Sequence, residues 1–254
     1  MNFKTKSILA LATALVGTST AFAQAAAPAP ESTLSFNVGV VSDYRFRSVA
    51  QTSFKPAMQG GVDYAHKSGA YVGAWASNIG WIKDYVGATD GATEVDLYGG
   101  YKGEIAKDFT FDLGVITYQY PGNTADKVLV NANTTEVYGA LTFGIVTAKY
   151  SQSTGNFIAN PNSSGAAYFE LAAAFDLGDG LTLTPHVGRQ TIPNQAGNAG
   201  DYTDFSLTLG KDFGNGISAS IVALNTDAKD AFYKVPGFDN LGKSAVTVGV
   251  KYTF

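Results

Sequence analysis

Cysteine is missing from all 254 residues, and histidine occurs only twice. The first absence excludes a disulfide framework and any thiolate metal site. The second leaves His66 and His186, too far apart in sequence for a good histidine metal centre. A Ser-His hydrolase fits no better, because His186 has the polar phase of its segment, opposite Leu183 and Val187. Gly214-Asn215-Gly216 lacks the following Lys-Ser/Thr and the strand-to-helix context of a phosphate loop. No enzyme activity and no cofactor are therefore expected. Charged residues make up only 15% of the chain, with a formal net charge of -4, which argues against nucleic acid as a partner. Past the first two dozen residues no segment approaches the 18 or so consecutive apolar residues of a membrane-spanning helix.

What is present begins with a leader. Lys4 and Lys6 precede a short apolar stretch, Ile8 to Val16, and Ala21-Phe22-Ala23 is a small-residue cleavage site before Gln24. This is the pattern of a secretory signal peptide over residues 1–23, too short in its apolar part to span a bilayer. Losing Lys4 and Lys6 takes the formal net charge from -4 to -6. Residues 24–32 read as a flexible Ala/Pro spacer, and residues 33–254 as one domain.

That domain is rich in glycine, tyrosine and phenylalanine, with 29, 14 and 16 copies in the chain. About twelve segments of roughly ten residues alternate apolar and polar. In the last, Val246, Val248, Val250, Tyr252 and Phe254 share one face, while Thr247, Gly249, Lys251 and Thr253 share the other. The first puts Leu34, Phe36, Val38, Val40, Tyr44 and Phe46 opposite Ser35, Asn37, Gly39, Asp43, Arg45 and Arg47. Connectors alternate in length. Short turns are expected at His66–Gly69, Lys102–Asp108, Phe143–Ile145, Leu177–Gly180 and Phe213–Gly216, with six longer loops between them.

Alternation alone fits a soluble sandwich equally well. The export leader, the strict turn-loop alternation and aromatics near strand ends favour a closed antiparallel up-and-down transmembrane β-barrel. It would have about twelve strands, short periplasmic turns and long extracellular loops. Tyr44, Phe46, Phe143, Tyr168, Phe169, Phe205, Phe213 and Phe254 are among the residues expected to form its aromatic girdles.

The polar faces supply the candidate site. Strand phase points Asp43, Arg45 and Arg47 of the first strand into the lumen, with Glu94, Asp96, Glu136, Glu170, His186 and Asp204 from later strands. The carboxylates outnumber the guanidiniums, so these pore-lining residues predict weak cation selectivity. The final loop, Asp227 to Lys243, holds Phe232, Tyr233 and Phe238 and is a candidate plug or, equally, a contact surface for other molecules outside.

The run Asp43-Tyr44-Arg45-Phe46-Arg47-Ser48-Val49-Ala50-Gln51-Thr52 resembles the TorF-type porins of Gram-negative bacteria, whose members carry S-D-Y-x-F-R-G-x-S-Q-T there. Gln59-Gly60-Gly61-Val62-Asp63-Tyr64, the segment from Gly69 to Asn78 and the segment from Glu94 to Tyr101 extend the likeness over the first third of the domain. Ser48 and Ala50 depart from the family's glycine and serine. The resemblance implies an outer-membrane location and a channel. The expected function is passive diffusion of small hydrophilic solutes, the competing one a non-conducting structural or adhesion barrel whose loops bind partners. Expected partners are outer-membrane lipid and lipopolysaccharide, the barrel-assembly machinery and the solutes, with homo-oligomerisation left open.

Overall fold

The computed structural model describes residues 31–254. The leader and residues 24–30 of the spacer lie outside the described residues. The chain forms fifteen strands: β1 (Ser32–Val41), β2 (Arg45–Phe46), β3 (Val49–Ala50), β4 (Ala57–His66), β5 (Ala70–Asn78), β6 (Thr93–Ala106), β7 (Phe109–Gln119) and β8 (Thr134–Phe143), then β9 (Val146–Ser153), β10 (Ala167–Ala173), β11 (Phe175–Gly178), β12 (Leu181–Thr191), β13 (Tyr202–Gly214), β14 (Ile217–Thr226) and β15 (Ala245–Thr253). Single-turn helices α1 (Trp81–Asp84) and α2 (Asp230–Tyr233) sit in two of the long loops.

β10 and β11 are one wall strand interrupted at Ala174, and β2 and β3 form a separate two-residue hairpin. The wall therefore has twelve strands, each antiparallel to its chain neighbours. It closes where β1 meets β15, from Asn37 opposite Thr253 to Val41 opposite Gly249. Phe254 fastens the seam: it exchanges backbone bonds of 2.8 and 2.9 Å with Phe36, and the two rings stack at 5.8 Å. Closure pairs every strand on both sides and leaves no open edge.

Side-chain alternation then decides what each face meets. Leu34, Met58, Leu113, Phe143, Phe213 and Val246 all point outward and are more than half exposed. An apolar band that runs around the whole barrel is what lipid, not water, stabilises. The core lies inside, at the end carrying the long loops.

Two local expectations fail. The turn expected at Lys102–Asp108 shrinks, because β6 runs on to Ala106, with an irregularity in its register to β7 between Glu104 and Ala106. More consequentially, the first strand stops at Val41 rather than Arg47. Ser42–Pro56, here called loop 1, turns into the barrel, with the β2–β3 hairpin reversing at Arg47 and Ser48, both at positive φ. Tyr44 is accordingly buried, and Phe46 packs edge-on against Tyr118 at 5.3 Å inside the barrel. Neither belongs to an interfacial girdle. Tyr168 is also buried and inward, in phase with Glu170.

Candidate functional site: the closed end of the lumen

Loop 1 is seated by Arg47. Its guanidinium donates to Glu136 Oε2 at 2.6 Å and to Gln190 Oε1 at 2.8 Å. The same group lies over the rings of Tyr168, Phe46 and Phe157 at 4.4, 4.7 and 5.6 Å. A charge held this way keeps its hydrogen bonds and gains attraction from the ring faces, which offsets the cost of drying it. The Arg47 carbonyl accepts from Tyr202 Oη at 2.9 Å, and Ser48 Oγ donates to Asp204 Oδ1 at 3.0 Å. Opposite, Tyr44 donates to Glu94 Oε1 at 3.1 Å and packs on Trp75 at 5.4 Å.

Strand phase places Glu94, Asp96, Glu136, Glu170, His186 and Asp204 on the inner wall around this loop. His186 bridges two of the acids, its Nε2 3.1 Å from Glu170 Oε2 and its Nδ1 3.6 Å from Asp204 Oδ1. Tyr118 donates to Glu136, and Tyr168 to Asp204. Among the described residues, Glu94 Oε2, Asp96 Oδ1 and Glu136 Oε1 are buried with no hydrogen-bond partner.

Asp43, Arg45 and Arg47 come from loop 1 and not from a wall strand. Arg45 pairs with Asp43 at 2.7 Å and donates to the carbonyls of Ser48 and Leu241 at 3.2 and 2.9 Å. Its role is to tie loop 1 to the final loop. Burial pushes the Asp43 carboxyl above its ordinary value, against the pull of Arg45. The final loop lies over loop 1 as a lid: Tyr233 and Leu241 pack with Val49 and Ala50, and Ala50 N donates to Leu241 O at 2.9 Å. Phe238 reaches sideways to Tyr85 at 5.2 Å, so the final loop is not itself the plug.

Towards the short-turn end the lumen wall changes character. Tyr98 faces its cross-strand partner Gly73, and Tyr138 faces Gly114. A Cβ added at Gly73 would lie 2.5 Å from the Tyr98 ring, so the ring lies flat over the glycine. Tyr98 Oη donates to Asp63 at 2.5 Å, and Tyr71 Oη to Asp112 at 2.6 Å. These bonds hold the rings along the wall.

A closed, lipid-banded twelve-stranded barrel with a loop folded into one end has the fold of known porins. A KdgM porin solved in complex with disordered oligogalacturonate is similar at a TM-score of 0.53 and 7% identity, covering 88% of this chain and 99% of that one. The NanC porin gives 0.54 and 11% over 87% and 99%. A search of curated proteins finds no match. The chain belongs to the Gcw_chp family, described as bacterial protein of unknown function, whose profile matches residues 24–254.

Proposed function

We propose that the protein is an outer-membrane channel for passive diffusion of small hydrophilic solutes, with loop 1 as its constriction. The observation that carries this is a polar lumen narrowed by a loop seated through Arg47, inside a wall whose outer face is apolar all round. The short turns then face the periplasm and the long loops the exterior. The TorF-type likeness of the first third and the secretory leader support the same location.

The charges favour weak cation preference. Asp43, Glu94, Asp96, Glu136, Glu170 and Asp204 at the constriction outnumber its cations Arg45, Arg47 and Lys149, the last facing inward from β9 opposite Glu170. Charges behind low-dielectric walls act on a narrow passage even when they do not touch the solute. A polyanion such as the oligogalacturonate of the KdgM complex would meet an unfavourable field here. Screening over ~8 Å at physiological salt keeps the preference modest.

Planar-bilayer recording of the refolded protein under a salt gradient tests both parts. Glu94→Gln with Asp96→Asn should move the reversal potential toward anions, and Arg45→Gln with Arg47→Gln should deepen cation preference. Unmoved potentials in both would remove these residues from the selectivity mechanism. The filled mouth also fits a non-conducting barrel whose loops bind partners. A barrel that stays silent in every variant would establish that reading instead.

A further inference from the structure

The outer rim carries one feature that conduction does not use. Between the outer end of loop 1 and α1 lies a cleft of about 290 Å³ flanked by Lys55 and Lys83. Asn78, one of its walls, ends the outward-facing series of β5, and its Oδ1 accepts from the backbone of Met58, whose outward side chain is 75% exposed. The cleft thus sits directly above the apolar band, at the height of lipid headgroups.

Its charges are free where neighbouring ones are not. On the final loop, Lys234 and Lys243 pair with Asp230 and Asp239, and Lys229 is capped by the carbonyls of Gly197 and Asn198. Among the described residues Lys55 and Lys83 make no ion pair, and both are exposed. Asp84 also lines the cleft, its Oδ2 accepting from Ser53 Oγ at 2.6 Å, so the lining carries two positive charges against one negative. The backbones under the two lysines are fixed. Thr52 Oγ1 donates to Lys55 O at 2.5 Å, and Lys83 N bonds Gly80 O at 3.1 Å. Asn78 Nδ2 is similarly turned to Pro56 O at 3.4 Å.

We infer that this cleft binds the phosphate monoester of an outer-leaflet lipid headgroup through Lys55 and Lys83. The inference rests on the outer-membrane reading. Two unpaired ammonium groups flanking one cleft above an apolar band match a ligand that is anionic at its head and acyl at its tail. A free phosphate shares only the head, and the band would add nothing to its binding.

The test is native mass spectrometry of the full refolded chain with phosphorylated lipid A, dephosphorylated lipid A and inorganic phosphate. The phosphorylated lipid should bind in preference to the dephosphorylated one. Lys55→Gln with Lys83→Gln should weaken it roughly tenfold or more, since each lysine at a membrane surface contributes on that scale. The charge-matched control Lys234→Gln with Lys243→Gln should not. Equal loss in the control would reduce the effect to overall charge and overturn the site. So would equal binding of the two lipids. Inorganic phosphate binding the parent as tightly as lipid A, and lost in the double variant, would reassign the cleft to free phosphate. Bilayer conductance of Lys83→Gln alone separates this result from the channel reading, because Lys83 belongs to α1 and not to loop 1, and its loss should weaken lipid binding while leaving conductance unchanged.

Discussion

Arg47→Ala should raise the single-channel conductance several-fold and shift the tryptophan fluorescence to the red. The side chain makes the 2.6 Å pair with Glu136, the 2.8 Å bond to Gln190 and three ring contacts. Removing one partner of such a buried pair costs about 3–5 kcal/mol, because Glu136 is left charged and dry. The remaining ties of the hairpin tip to the wall are the hydrogen bonds of Ser48 Oγ to Asp204 and of Tyr202 Oη to the Arg47 carbonyl, each weaker than the Arg47 pair. The fluorescence readout follows from where the indoles lie. Trp75 and Trp81 are the only tryptophans, both are 6% exposed, and Trp75 packs on Tyr44 of loop 1. Withdrawal of the loop would hydrate Trp75. Arg47→Lys should fall between parent and alanine, since it keeps the charge but loses the planar fork that spans Glu136 and Gln190. Parent-like conductance and fluorescence in Arg47→Ala would show that loop 1 does not constrict the lumen.

Gly73→Ala should act in the opposite direction, lowering both conductance and stability. The new methyl group would overlap the Tyr98 ring at 2.5 Å, so the ring must swing off the wall into the lumen and give up its bond to Asp63. Overpacking of this kind costs about 1–3 kcal/mol, with about 1 kcal/mol more for the lost hydrogen bond. Conductance and the denaturant midpoint report the two effects. Adding Tyr98→Ala should restore conductance, and the double-mutant cycle should show strong coupling between the positions. A Gly73→Ala barrel with parent conductance would mean that the ring does not border the passage.

The wall was legible in the sequence because a period of two is local. Val246 to Phe254 declares its faces within nine residues, and Gly214-Asn215-Gly216 declares its turn within three. The inward phase of Glu94, Glu136 and Asp204 followed from the same count. Loop 1 was not legible, for a specific reason. Leu34, Phe36, Val38 and Val40 continue in phase through Tyr44 and Phe46, so the alternation passes over Ser42 without a break. What turns the chain inward is a socket built by Glu136, Gln190 and Asp204, residues from three distant strands. No local window contains them. One signal was available: Val49, Ala50 and Phe54 are too apolar for a loop lying in water. Similar aromatics in the final loop suit either a plug or an outer contact surface, and in the structure Tyr233 serves as cover and Phe238 as a brace on Tyr85.

The flat tyrosines also limit how such a barrel can change over generations. The width available to a solute depends on whether each ring has a bare backbone to rest upon, so two positions on adjacent strands must alter in a fixed order. A side chain arriving at Gly73 before Tyr98 has been lost obstructs the passage, whereas loss of Tyr98 first leaves an open lumen and a glycine free to vary. Descendants with a wider passage should therefore lose the aromatic residue before the glycine. Where the ring is retained, the glycine opposite it should be retained as well.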